Sequence, residues 1–284
     1  MLFDPRTTPA RPDLAAESLR GRVEARRYSA GRSMLMAAGS APLRHAPNDG
    51  ALLDTEILFG ELFTVYDEKG GWSWGQAAVD SYVGYVPSAA LSPAPGPQPT
   101  HRVTALASHL YSAPDVRAPH RLALSLGARL RVSGTAERFA IVDMPDAPAF
   151  VPMQHIAPFA ERAEDFVAVA ERFLAAPYLW GGRTAQGLDC SALVQLSLAE
   201  AGQLFPRDSD QQQQVGMRLG TGALKDLRRG DLLFWKNHVA IAVGPSRLIH
   251  ANGTAMAVTI DAVGDVIDRS AAGDGGALLD INRL

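Results

Sequence analysis

The sequence predicts an α+β protein in which two small β-barrels precede a mixed domain. Three observations predict it. Much of the N-terminal half recurs at a nearly constant offset of 67 residues. The texture changes after Pro158, from short alternating runs to helical spacing followed by strand-like runs. The chain's one cysteine, Cys190, opens a helix ahead of two strand-like runs that each carry a histidine.

In chain order, residues 1–40 are rich in Arg and Ala and read as an arm that packs on something else. Asp13 to Val23 is expected to form a short helix, capped by Asp13 with Glu17 one turn on. Residues 41–95 and 100–159 are the two barrels. Leu43 to Pro47 recurs as Leu110 to Pro114, and Gly60 to Val65 recurs as Gly127 to Val132. Trp72 and Trp74 fall opposite Phe139 and Ile141, and Tyr85-Val-Pro87 answers Phe150-Val-Pro152. Both copies alternate apolar and polar residues between turn signals such as Lys69-Gly70-Gly71, the pattern of short strands. The proline-rich stretch Ser92 to Pro99 reads as a stiff linker.

Residues 160–284 form the mixed domain. Phe166, Val169, Ala170, Phe173 and Leu174 have helical spacing within an expected helix from Ala160 to Ala176, ended by Pro177. A second helix runs from Cys190 to Ala201 and stops at Gly202. Asp208-Ser-Asp210 can cap a third, whose glutamines Gln211 to Gln214 read as an exposed face. The runs Asp231–Trp235, His238–Val243 and Arg247–His250 read as strands.

Of 284 residues, 27 are Lys or Arg and 30 are Asp or Glu, so no basic excess exists to neutralise phosphates and no nucleic-acid partner is expected. A single cysteine excludes an intramolecular disulfide and a multi-cysteine zinc site. No segment approaches the roughly 20 apolar residues needed to span a bilayer. The start, Met1 to Pro12, has Asp4 and three prolines where a secretory signal would be apolar, so a cytoplasmic location is expected.

Cys190 would occupy the first turn of its helix with Asp189 as cap, and a helix N-terminus favours the nucleophilic thiolate. If Gly244-Pro245-Ser246 centre the turn, His238 faces position 252 and His250 faces position 240. Both imidazoles then lie on one sheet face, one step apart on neighbouring strands. A cysteine on a helix N-terminus, followed by a base and an orienting residue, is a papain-like order.

At these residues the chain resembles a known family. Tyr178-Leu-Trp-Gly-Gly182, Leu188-Asp-Cys-Ser191, Arg229 to Phe234, His238 to Gly244 and Ile249-His250 look like the ordered motifs of the NlpC family of bacterial cell-wall cysteine peptidases. The barrels resemble bacterial SH3-like domains, and the whole is similar to γ-D-glutamyl-L-diamino acid endopeptidases. The resemblance implies that Cys190 attacks the carbonyl of a γ-linked D-glutamate, that His238 is base and then acid, and that His250 orients His238. It implies substrate contacts at Tyr178, Trp180, Asp189, Ser191 and Ser209. It further implies a tyrosine and an acid of the first barrel, Tyr82 with Glu56 or, less favoured, Glu61, that recognise a free amino end. At the corresponding place the second barrel has Ala147.

The expected substrate is a short murein peptide, L-Ala-γ-D-Glu-diamino acid, in cell-wall peptide recycling, with no metal, cofactor or obligate protein partner. Two alternatives stand beside this reading. One is a non-catalytic wall-peptide-binding protein, against which the intact Cys190, His238 and His250 speak. The other is a thiol acyltransferase or amidase on the same core.

Overall fold

The computed structural model describes residues 3–94 and 98–284, so Pro95 to Pro97 of the expected linker lie outside the described residues. The chain divides into two compact units, Met1–Ala160 and Glu161–Leu284. Among the described residues, no helix is long and apolar enough to cross a membrane.

The arm of the first unit departs from expectation. Asp13 to Val23 is not a helix. Leu14–Ala16 form strand β1, paired in parallel with β2 (Arg27–Ser29), and only Glu17–Leu19 make a single 3-10 turn. The Asp13 carboxylate is engaged by Arg11 (Nε to Oδ1 3.0 Å) rather than by a helix N-terminus. Leu14, Ala15 and Ala16 are all buried, so tertiary burial decides against a short local helix that would have to pay its own nucleation. The arm is tied to the following strands through Arg11. Its guanidinium lies 4.3 Å from the Trp74 ring centroid and bonds to Asp67 (2.6 Å) and the Tyr85 hydroxyl (3.0 Å).

The repeat is a structural duplication. The first copy contains β3 (Arg32–Met36), β4 (Ser40–Arg44), β5 (Leu53–Leu58), β6 (Leu62–Lys69), β7 (Trp72–Ala77), β8 (Val83–Pro87) and β9 (Leu91–Pro93). β3 pairs with β6 and β9, so this copy starts within residues 1–40, earlier than the sequence repeat. The second copy contains β10 (His101–Val103), β11 (Ala107–Tyr111), β12 (His120–Ser125), β13 (Arg129–Leu130), β14 (Val132–Ala136), β15 (Phe139–Val142), β16 (Ala149–Pro152) and β17 (Ile156–Pro158). The strand order 5-4-8-7-6 of one recurs as 12-11-16-15-14 in the other. Registers correspond too: Trp72 faces Pro87 as Phe139 faces Pro152, and Arg44 faces Tyr85 as Tyr111 faces Phe150.

The two copies share a seam. Phe59 joins the core cluster of the second copy, with Val103, Leu110 and Val151, and its carbonyl accepts the Arg129 N–H at 2.8 Å. Next to it Gly60 has φ +73°, and a Cβ there would collide with the Arg129 carbonyl oxygen. Only glycine meets both demands.

In the second unit the helices come first, as expected, but the first is shorter. α1 spans Phe166–Glu171 because Asp165 caps it, accepting the Val167 N–H at 2.8 Å. After the hairpin β18 (Arg183–Thr184) and β19 (Gly187–Leu188) comes α2 (Cys190–Glu200), then the single-turn α3 (Ser209–Gln212). α2 is buried almost all round, so its apolar residues do not form one stripe. The sheet follows: β20 (Met217–Arg218), β21 (Leu232–Trp235), β22 (His238–Gly244), β23 (Arg247–Asn252) and β24 (Ala257–Ala262), then α4 (Val263–Ala272) and β25 (Asp280–Arg283). Its order is 20-25-21-22-23-24. Leu233, Trp235, Ala240, Ala242 and Leu248 form a core with Val266 of α4 and Ile281 of β25. α2 packs on β22 and β23 as well, which is why these strands read as apolar runs without alternation.

The seam makes a testable demand. Gly60→Ala is expected to lower the stability of the first unit by roughly 2–4 kcal/mol, from the left-handed backbone and the collision together. Urea denaturation against the wild type measures it, and an unchanged midpoint would remove the seam as a constraint.

Candidate active site

The local sequence around Cys190 builds a rigid helix start. Asp189 is the N-cap: its Oδ1 accepts the Ala192 N–H (2.8 Å) and the Ser191 hydroxyl (3.0 Å), and its Oδ2 accepts the Gly181 N–H (2.9 Å). Gly181 has φ +75°, and this left-handed turn brings its N–H to the cap. The charge of Asp189 is met by Arg207, which binds both carboxylate oxygens (2.9 and 2.7 Å) and the Ser191 hydroxyl (2.8 Å). Arg207 is 1% exposed. Gln212 of α3 completes the brace, donating to the carbonyls of Ser191 (2.9 Å) and Pro206 (2.8 Å).

The hairpin delivers the imidazoles in the expected register. Ile241 faces Ile249 and Ala242 faces Leu248, with a bulge before Gly244. His238 Nε2 lies 2.8 Å from His250 Nδ1, and the rings meet edge to face at 5.0 Å. His250 Nε2 lies 3.2 Å from Asp261 Oδ2 on β24, and Arg269 of α4 binds the same oxygen at 2.6 Å. Cys190 comes to the start of β22, where its sulfur accepts the N–H of Val239.

Burial sets the protonation of these groups. It pushes the Cys190 thiol up to about 12, with the Asp189 charge adding to the rise and the Val239 N–H and Arg207 opposing it. Burial likewise holds His238 well below the usual histidine range, with His250 and Arg269 acting in the same direction. His250 is lowered by burial and partly restored by Asp261. Burial thus disfavours the charged form of both groups.

The other residues singled out from the sequence fall in different places. Tyr178 is half-buried, raised to about 12 by burial and then by the nearby charges of Cys190 and Asp189. Trp180 is 59% exposed on the same loop, and Ser209 is buried in the first turn of α3. Asp189 and Ser191, for which the resemblance implies peptide contacts, also make the hydrogen bonds that hold the helix start. Tyr82, 5% exposed, belongs to the first unit's core with Met34, Ala77 and Val86. Glu61 is buried and accepts the Leu58 N–H (2.9 Å), whereas Glu56 is partly exposed beside Ser40. The glutamine run is not simply an exposed face, since Gln212 is fully buried. Arg207, Gln212 and Asp261 lie outside the set singled out from the sequence. The Asp208-Ser-Asp210 turn signal points only to α3, and nothing local marks Arg207 or Asp261.

A helix-capped cysteine that meets the backbone of Val239, next to a histidine held by a second side chain, follows the papain-like order of groups. Residues 175–268 match the NlpC/P60 family, and residues 43–91 match the bacterial dipeptidyl-peptidase Sh3 domain. The chain thus carries an NlpC/P60 domain in its second unit and a bacterial Sh3 match in its first. It is 26% identical over 231 residues to a gamma-D-glutamyl-L-lysine dipeptidyl-peptidase of Bacillus subtilis, covering 74% of this chain and 75% of that one. To the Bacillus cereus protein of the same name it is 27% identical over 229 residues, covering 70% and 67%. In fold it is similar to the crystal structure of an NlpC/P60 family protein from Bacillus cereus, with a TM-score of 0.73 at 21% identity over 88% of this chain and 99% of that one.

Two outcomes test this site. Arg207→Met leaves the Asp189 carboxylate buried without its counter-charge and is expected to cost about 3–5 kcal/mol in a denaturant titration. Adding Asp189→Asn should recover part of that loss. The second concerns pH. Because His238 and His250 titrate lower in the folded chain, the unfolded chain binds more protons below about pH 6.5. Stability should therefore fall as pH drops from about 7 to about 5, before most carboxylates protonate. The drop in thermal midpoint should shrink in the His238→Gln/His250→Gln variant; an equal drop would show that other groups cause it.

Proposed function

We propose that this chain is a cysteine endopeptidase that hydrolyses the bond between γ-D-Glu and a diamino acid in short murein peptides beginning with L-Ala. The observation that carries the reading is the capped Cys190 at the start of the strand that bears His238, whose imidazole lies 2.8 Å from that of His250, in a chain 26% identical over 231 residues to a gamma-D-glutamyl-L-lysine dipeptidyl-peptidase. In the proposed reaction the Cys190 thiol passes its proton to His238 Nδ1 as sulfur attacks the γ-carbonyl carbon. The Cys190 backbone N–H, at the positive end of α2, is the proposed donor to the oxyanion. Collapse of the tetrahedral intermediate breaks the C–N bond, and His238 returns the proton to the leaving amine. Water, deprotonated by the same imidazole, then hydrolyses the thioester and regenerates the thiol.

Tyr178 and Trp180 are the proposed walls of the substrate site. The second copy of the first unit, which repeats the strand order of the first, is proposed as a second SH3-like domain. Recognition of a free amino end by Tyr82 with Glu56 is part of the same proposal. A charged ammonium discriminates released peptides from intact stems, whose L-Ala is amide-linked. That preference supports a role in recycling wall peptides in the cytoplasm.

The deciding assay follows hydrolysis of L-Ala-γ-D-Glu-diaminopimelate, its lysine counterpart and their N-acetylated twins. Wild type should cleave the free peptides and spare the acetylated ones, and Cys190→Ala should cleave none. Tyr82→Phe keeps the packed ring and should narrow the preference for the free amine without lowering the melting temperature. Cleavage of both free and acetylated forms would keep the peptidase and discard the amino-end recognition. Cleavage of neither would sink the peptidase reading.

A further inference from the structure

We propose that Asp261, clamped by Arg269, is a positioning residue that fixes the tautomers of both histidines and so leaves His238 Nδ1 free to act as the base. The inference deepens the proposed function and rests on it for the meaning of "base", but its structural core does not. A carboxylate can only accept, so His250 Nε2, 3.2 Å from Asp261 Oδ2, must carry its hydrogen. A neutral imidazole has one N–H, which makes His250 Nδ1 an acceptor. The atom 2.8 Å from that lone pair is His238 Nε2, which must then be the donor. The one remaining nitrogen, His238 Nδ1, is left with an unshared pair.

The direction of this relay depends on its far end. Were His250 protonated on Nδ1, it would donate to His238 Nε2, and the proton of neutral His238 would move to Nδ1. That imidazole could not accept the thiol proton. Arg269, 2.6 Å from the same Asp261 oxygen, keeps the carboxylate ionised and in place. Asp261 and Arg269 come from β24 and α4, beyond the two strands that carry the histidines.

The test uses the full chain with Asp261→Ala and Asp261→Asn, and two readouts. The first is the imidazole 15N spectrum, which reports the tautomer of each ring and needs no substrate. Wild type should show both histidines protonated on Nε2, and Asp261→Ala should show mixed tautomers at His250 and His238. The second is turnover of L-Ala-γ-D-Glu-diaminopimelate. In Asp261→Ala, kcat should fall roughly 10–100-fold with KM unchanged, the size found on losing a group that orients a metal-bound histidine. In Asp261→Asn the amide oxygen takes the Arg269 N–H and can still accept from His250, so tautomers and most of kcat should return. Unchanged tautomers in Asp261→Ala would overturn the proposal, as would mixed tautomers with full kcat. If the wild type does not cleave the peptide, the peptidase reading fails and the spectrum alone decides whether Asp261 sets the tautomers.

Discussion

The second unit depends first on one buried ion pair. Asp189 and Arg207 are almost entirely out of water, and each is fixed by more than the other. Asp189 caps α2 and receives the Gly181 N–H, while Arg207 reaches Ser191 across the same cap. Burying two charges is expensive, and replacing such pairs by apolar residues is often neutral or stabilising in proteins. The pair is therefore better understood as a device of geometry. It joins the Gly181 turn, the first turn of α2 and the segment before α3 at a single carboxylate, and the next residue after that carboxylate is Cys190.

The hairpin supplies the complementary constraint from the other side. β22 and β23 are covered by α2 and by the core that includes α4, so a one-residue slip would expose apolar side chains and bury nothing in return. The same register that satisfies the core fixes which residues of the two strands are neighbours, and it sets His238 against His250. Packing energy thus positions two polar groups whose own hydrogen bond would be too weak to dictate a strand register.

What could be read from the sequence follows from how local each signal is. The duplication, the cap at Asp189, the end of α2 at Gly202 and the hairpin register all rest on neighbours within a few residues or on a strict periodicity. The misread arm shows the opposite case. Asp13 looks like a helix cap, but Arg11, Asp67, Trp74 and Tyr85 form a cluster that no window of sequence contains, and it decides the conformation. Arg207 and Asp261 were silent for the same reason, being joined to Asp189 and His250 across 18 and 11 positions. Gln212 was hidden by composition: four adjacent glutamines look solvated, yet one of them is turned fully inward.

The protonation of the site then follows from these two scaffolds together. Burial alone favours a neutral thiol and a neutral imidazole, and the Asp189 carboxylate beside Cys190 would push the thiol higher still. Arg207 opposes that push, so the ion pair that holds the cap also offsets part of the anionic field its own aspartate would impose. What remains to favour a thiolate is local and directional: the Val239 N–H and the first turn of α2. The charged forms of Cys190 and His238 arise together, by transfer of one proton, and their mutual attraction is available only when both exist. In the proposed reaction proton transfer and attack occur in concert, so the quality of the proposed base, hence the tautomer of His238, becomes the quantity on which turnover rests.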